Sequence, residues 1–442
     1  MKRTLILSIA VVVVVGGVVT GLAWRFGWPP FGITQVKEIK VSNPDAIENS
    51  PYLTFGDSDW PWWRGPNQDG VATGKLPPTN WSEIKNVVWK IQVPGRGHSS
   101  PIVVGDHVFL TTADEDAETM SLICYNRQDG KEKWATKVHS GGFMHTHPEN
   151  SHASATPACD GERVFTAFMV QGGIWVSAVD LQGEFVWQKK VGVFRSKHGF
   201  GSSPVLFKSL VIIPADNLGG SYLVALDRES GKVEWLKNRP ADASFGTPIV
   251  ATLSDRDQLL LHGLKEVNSY DPVTGEVLWE CLGPWTTVAN TPAISENHVF
   301  VSGGYPRSGT MCIRADGVGN VSVKKVAWEK REVKFYVSSP LVLDGKLYGV
   351  TDRGEAMCMD ARTGNEIWTQ RLQMKFRASP IAIGDYVFFA GTRGETVVVK
   401  AGSQFEPVAR NELDEGCMAS PVICGGRLYL RTKDHLYCIG IE

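Results

Sequence analysis

SPVLFKSLVIIPADNLGGSYLVALDRESGKVEW, residues 203–235, holds one complete structural unit. Short apolar runs at 205–207, 210–214 and 221–226 are separated by turn residues, and a last run at 232–236 carries Trp235. Runs this short, rich in Val, Ile, Leu and Tyr and bounded by Gly, Asp and Ser, read as four antiparallel strands. Between the third and fourth lies Asp227-Arg228-Glu229-Ser230-Gly231. Its aspartate can cap the turn and its glycine can supply a positive φ.

The unit recurs. Ser/Thr-Pro pairs stand at Ser100-Pro101, Thr156-Pro157, Ser203-Pro204, Thr247-Pro248, Thr291-Pro292, Ser339-Pro340, Ser379-Pro380 and Ser420-Pro421. Tryptophans follow the same rhythm at Trp89, Trp134, Trp187, Trp235, Trp279, Trp328 and Trp368, and Val408 is read at the eighth place. Successive prolines lie 56, 47, 44, 44, 48, 40 and 41 residues apart. A period in the forties marks a stack of small units, none of which can bury its own face alone. Four strands per unit with no helix between them predict an all-β, eight-bladed β-propeller. After Pro421 the chain has room for three strands, while 87–93 is an orphan strand carrying Trp89. Joining the two ends completes the last blade and pairs two strand edges that would otherwise be exposed.

The net charge of -2 over 442 residues lacks the basic footprint of a nucleic-acid binder. Lys2-Arg3 precede a run of 20 uncharged residues, 5–24. A helix of that length spans about 30 Å, so the sequence predicts one N-terminal transmembrane helix with Met1 in the cytoplasm and the body exported to the periplasm. A cleaved signal ending at Ala23 is the competing reading. The predicted organisation is an anchor or signal at 1–28, a polar linker and Trp-rich arm at 29–84, and the propeller at 85–442. Three of the eight cysteines, Cys124, Cys358 and Cys438, fall in a slot that Ala178, Ala225 and Ser269 hold in other units. That slot wants a small buried side chain, so free thiols are expected, with Cys417 and Cys424 the one pair near enough in sequence to keep open.

The repeat Gly-x-x-x-Trp followed by [Ser/Thr]-Pro resembles that of the quinoprotein-like (PQQ-like) eight-bladed propellers, over roughly 85–442 and in seven of eight Trp positions. The segments Asp59-Trp60-Pro61-Trp62-Trp63-Arg64-Gly65-Pro66 and Asn150-Ser151-His152-Ala153-Ser154-Ala155-Thr156-Pro157 look like those of a bacterial, often planctomycetal, branch. The resemblance implies that each repeat tryptophan docks against the neighbouring blade. It also implies two classes of function. Quinoprotein dehydrogenases hold pyrroloquinoline quinone and calcium in the axial channel. BamB-like members carry no cofactor and bind other proteins in outer-membrane assembly. The paired cysteines and the Cys-x-x-Cys-His haem motif of the enzymes are missing.

Three groups of residues remain as candidates. His145, His147 and His152, with Glu149 among them, could ligate zinc with one position open; hydrogen-bonding loop histidines are the alternative. Residues ahead of the Ser/Thr-Pro pairs should line the channel mouth: Arg96, His98, His152, His198, Asn290, Tyr336, Lys375 and Arg377. Such a ring suits an anionic ligand or an acidic peptide, or simply keeps a loop face hydrated. Trp60, Trp62, Trp63 and Trp81 are expected to pack an extended arm on the outside of a blade. An insertion at 303–320 could form a lip on one face.

Together these readings point to a non-catalytic scaffold for protein or peptide partners in the cell envelope. A PQQ- and calcium-dependent dehydrogenase, or a metal- or carbohydrate-binding propeller, is the alternative.

Overall fold

A computed structural model describes residues 36–283, 287–304 and 308–441. Eight sheets are arranged as blades. Blades 1 to 7 run over 102–140, 158–193, 205–239, 249–282, 293–330, 341–371 and 381–412. Blade 8 consists of the strands at 422–424, 427–431 and 435–439, closed by the strand Val87–Gln92. That strand lies antiparallel to His435–Ile439, with Trp89 opposite Cys438. The predicted stitching of the ring from both chain ends is what forms.

In each blade the strand after the Ser/Thr-Pro pair is innermost and the tryptophan strand outermost. The Ser/Thr-Pro pairs form a belt around the hub. The N–H of one Ser/Thr donates to the hydroxyl of the next: Ser100 to Thr156, Thr156 to Ser203, Ser203 to Thr247, Thr291 to Ser339, Ser339 to Ser379 and Ser379 to Ser420, at 2.8–3.1 Å. Since proline follows and has no N–H, this link is what these six pairs give the ring.

The tryptophans form a second, outer belt. The indole N–H donates to a carbonyl of the next blade at Trp89–Arg127, Trp134–Leu181, Trp187–Arg228, Trp235–Pro272, Trp328–Ala361 and Trp368–Gly402, all within 2.9–3.2 Å. The ring packs on the next blade's turn glycine. At Gly231, φ is +68°, and a Cβ there would sit 2.6 Å from the Trp187 ring. Asp227 caps that turn by accepting from the Ser230 N–H at 2.8 Å. Across the strand pair, each tryptophan faces a small residue: Cys438, Cys124, Ala178, Ala225, Ser269, Cys312 or Cys358. All eight cysteines are free and buried, Cys417 and Cys424 included.

Two places depart from the repeat. Trp279 donates to Gln258 of its own blade at 2.7 Å, because the next blade's turn is replaced by Gly319–Asn320, which adds a parallel strand to Trp279 and Glu280. In blade 7 the tryptophan register belongs to Ala409, opposite Val398, while Val408 occupies the bulge and is exposed. The assignment of Val408 is therefore corrected by one residue. Trp81 supplies the missing ring from elsewhere in the chain. It is 3% exposed, stacks on Phe388, and shares one apolar cluster with Ala409 of blade 7 and Tyr429 and Tyr437 of blade 8. Asn411 holds it in place, accepting from the Trp81 N–H and donating to the Thr79 carbonyl.

The expected membrane helix is corrected. Among the described residues no helix is long and apolar enough to cross a membrane, and what they form is an all-β propeller. The stretch proposed for it, 5–24, lies outside the described residues, as do 305–307 of the expected lip. The linker is laid on the propeller. Ile39 pairs with Leu236 at the outer edge of blade 3. The helix Pro44–Glu48, capped by Asn43, buries Ile47 against Val205 and Phe207.

Candidate functional site: a hub closed from both faces

The aromatic arm enters the hub, where the sequence reading had placed it outside a blade. Its entry is at the face carrying the turns between first and second strands, where Gly105 N–H donates to Asp59 and Gly425 N–H to the Asp57 carbonyl. Trp60 then exchanges both backbone hydrogen bonds with Val103 of blade 1, at 2.7 and 2.9 Å. Pro61 accepts from Cys159 of blade 2, and Trp62 packs with Leu206 of blade 3. Gln68 accepts from Val250 of blade 4. The Trp63 indole donates to the Thr291 hydroxyl of blade 5 at 2.8 Å, and Arg64 donates to the Pro340 carbonyl of blade 6 at 2.8 Å. Val71 and Ala72 add a short parallel strand to Ala382 and Ile383 of blade 7. Trp60 also reaches Val422 of blade 8 through a shared cluster. One segment of some 16 residues, 57–72, thus touches every blade. It is a plug, and beside the Ser/Thr belt it leaves a void of only about 10 Å³, lined by Trp60, Trp63, Arg64 and Ser100.

The opposite face is crossed by the insertion after blade 1. Residues 141–153 form a strap, begun by a bridge from Phe143 to Val170. Arg96 donates to the Pro148 carbonyl at 2.6 Å. At the tip, Glu149 pairs with Arg377, ahead of blade 7, at 2.8 Å, and that guanidinium holds the Glu149 carboxyl below its ordinary range. Two clefts flank the tip and share Glu149, Thr392 and Met418. One, of about 350 Å³, includes Arg96, His98 and Arg431; the other, of about 530 Å³, includes Lys375, Arg377 and Arg393.

Six of the eight predicted mouth residues surround this strap, and two do different work. Asn290 is 1% exposed and lies inside the hub wall, where it accepts from buried His262 at 2.8 Å and donates to the Phe335 carbonyl. Tyr336 packs beside Gly304, under Lys334. Arg96 also pairs with Glu115 at 3.1 Å. His98 is pushed down to about 4, first by burial and then by Arg431 and Arg96, so it is neutral near pH 7. Lys375 is exposed beside the second cleft.

The strap histidines are separated by their partners. His152 bonds the Met144 carbonyl at 2.9 Å and lies 3.4 Å from Glu115. The His147 ring packs on His198, with centroids 5.4 Å apart. The His198 imidazole is pushed down by burial, then by His147, Lys197 and His145. Among the described residues no group of three His, Cys, Asp or Glu could hold a metal ion.

Sequence comparison assigns the architecture. The family described as outer membrane protein assembly factor BamB matches residues 80–198, 151–370 and 358–440. The chain belongs to this family. A BamB of Burkholderia pseudomallei (strain K96243) is 22% identical over 326 residues, covering 71% of this chain and 67% of that protein. The crystal structure of BamB from Moraxella catarrhalis is similar with a TM-score of 0.59 and 14% identity, over 80% of this chain and 97% of that one. A europium-containing methanol dehydrogenase has a TM-score of 0.66 with 10% identity, over 90% and 100%. The quinohemoprotein alcohol dehydrogenase of Comamonas testosteroni has 0.61 with 12%, over 90% and 82%. At these identities the structural likenesses speak for the fold alone.

A quinone held in such a hub with calcium would need a set of oxygen ligands around the metal. Calcium takes six to eight oxygen ligands, drawn from carboxylates, backbone and amide carbonyls and water. Around the strap, the carboxylates of Glu149 and Glu115 are each engaged in ion pairs.

Proposed function

We propose that this propeller is a non-catalytic scaffold that binds protein partners during outer-membrane protein assembly in the cell envelope. The match to the BamB family over three overlapping segments carries this reading. The hub supports it. A channel plugged at one face and strapped at the other leaves the loops and blade edges as the surfaces for work, and wide loop-built faces suit protein recognition.

The dehydrogenase likeness supplies the opposing hypothesis, and it is directly testable. The purified full chain is incubated with pyrroloquinoline quinone and calcium and assayed for dye-linked oxidation of primary alcohols and aldoses. The scaffold reading expects no turnover above the quinone-only control. Saturable, calcium-dependent turnover would sink it.

A further inference from the structure

Among the described residues three arginines are buried, Arg64, Arg239 and Arg431, and their partners differ. Arg239 makes a two-pronged ion pair with Asp216 at 2.7 and 3.2 Å. Arg64 donates to the carbonyls of Asp69 and Pro340, with the Asp69 carboxylate acting on it. Arg431 is 2% exposed and forms no ion pair among the described residues. Its Nη1 is used up on the Ser99 carbonyl and hydroxyl and the Thr111 carbonyl, at 3.2, 2.6 and 2.7 Å. Its Nε is buried without an acceptor, and Nη2 makes no hydrogen bond among the described residues.

A buried charge without a counter-ion is costly, because neither water nor an opposite charge solvates it. Burial lowers the Arg431 guanidinium to about 10, which leaves it charged at neutral pH. The fold makes room for it: a Cβ on Gly97 would lie 2.4 Å from Nη2. Arg431 lines the cleft of about 350 Å³ beside the strap, together with Arg96, His98, Thr392 and Lys433. Neutral His98 adds no competing charge, and Glu149 at the rim is bound to Arg377.

We propose that this cleft binds a carboxylate-bearing ligand, with Nη2 of Arg431 as its anchor and Arg96 and Lys433 as its rim. A carboxylate oxygen accepts a charge-assisted hydrogen bond from such a guanidinium N–H. The volume suits a group of a few heavy atoms, either a free organic acid or an acidic side chain presented by a peptide. The inference does not rest on the scaffold reading, since it concerns the isolated protein.

The test is calorimetric titration of the full chain with two probes at constant ionic strength: glutarate, and an N-acetylated, C-amidated Gly-Glu-Gly peptide. Gly-Gln-Gly is the control. Saturable binding of either carboxylate and none of the control supports the site, and the preferred probe tells a free acid from a peptide-borne one. R431Q is expected to weaken binding about tenfold or more. Should R431Q fail to fold, K433E decides, because Lys433 is exposed at the rim and its reversal should weaken binding several-fold at unchanged stability. Absence of saturable binding to the wild type overturns the proposal. So does binding that persists at full strength in the folded variants.

Discussion

Trp235 shows how one residue does several jobs. It is fully buried, faces the small Ala225 across its own blade, and donates to the Pro272 carbonyl of the next. Trp235→Phe keeps most of the packing and drops the hydrogen bond, so it should cost about 1–2 kcal/mol. Trp235→Ala should cost about 3–5 kcal/mol. Urea unfolding of both variants measures the two contributions. His262 gives a pH prediction. Burial pushes it down to about 4, while an unfolded histidine titrates near 6.5. Between these values the unfolded chain binds a proton that the native state refuses. The stabilising share is therefore complete above pH 6.5 and is lost as pH falls toward about 4, amounting to roughly 3 kcal/mol. H262Q should flatten the fall in stability between pH 6.5 and 4 relative to wild type; an unchanged slope would show that His262 is protonated in the fold. At this scale the sequence was readable wherever a residue recurs. Seven tryptophans, the turn glycines and the small slot opposite the rings all declared themselves by period. Val408 misled because a bulge shifts register by one residue, and nothing in composition marks where a bulge falls.

Among the elements, the plug was the least legible. Its tryptophans and prolines read as an arm, and an arm has no period to say which surface it meets. Only the closed ring creates a cavity with eight inner strands for Trp60, Trp62, Trp63 and Arg64 to satisfy. The location carries a measurable consequence. If the plug ties the hub, Trp60→Ala should cost about 3–5 kcal/mol, as for other buried aromatics. An arm lying on the surface would lose well under 1 kcal/mol. The strap was half legible. Its length and histidines drew attention as a ligand set, but its role in the fold comes from Pro148 and Glu149, which meet Arg96 and Arg377 across the mouth. Those partners are 52 and 228 residues away, beyond any local pattern. Trp81 is a similar case: its position at the junction of blades 7 and 8 makes sense only once Ala409 is seen to leave that junction without a ring.

At the scale of the whole molecule, the ring is held by two belts and a hub. Serine and threonine hydroxyls link inner strands, indoles link outer strands, and the plug joins both to the axis. Eight buried free thiols sit within this frame, with Cys417 pushed up to about 12 by burial. A thiol reagent at pH 7 should therefore titrate no cysteine rapidly in the native protein and eight after denaturation without reductant; six or fewer would reveal a disulfide. The blade count and ring closure could be read from the sequence because repetition averages out local ambiguity. The function could not, since the recurring residues are spent on holding blades together. A closed propeller that works by holding proteins must be found with them in the envelope. Affinity capture of the full chain from chemically crosslinked cell envelopes, followed by quantitative mass spectrometry, tests that claim most directly. Outer-membrane protein assembly components should be strongly enriched over a capture control. Recovery of the propeller with no such component enriched would contradict it.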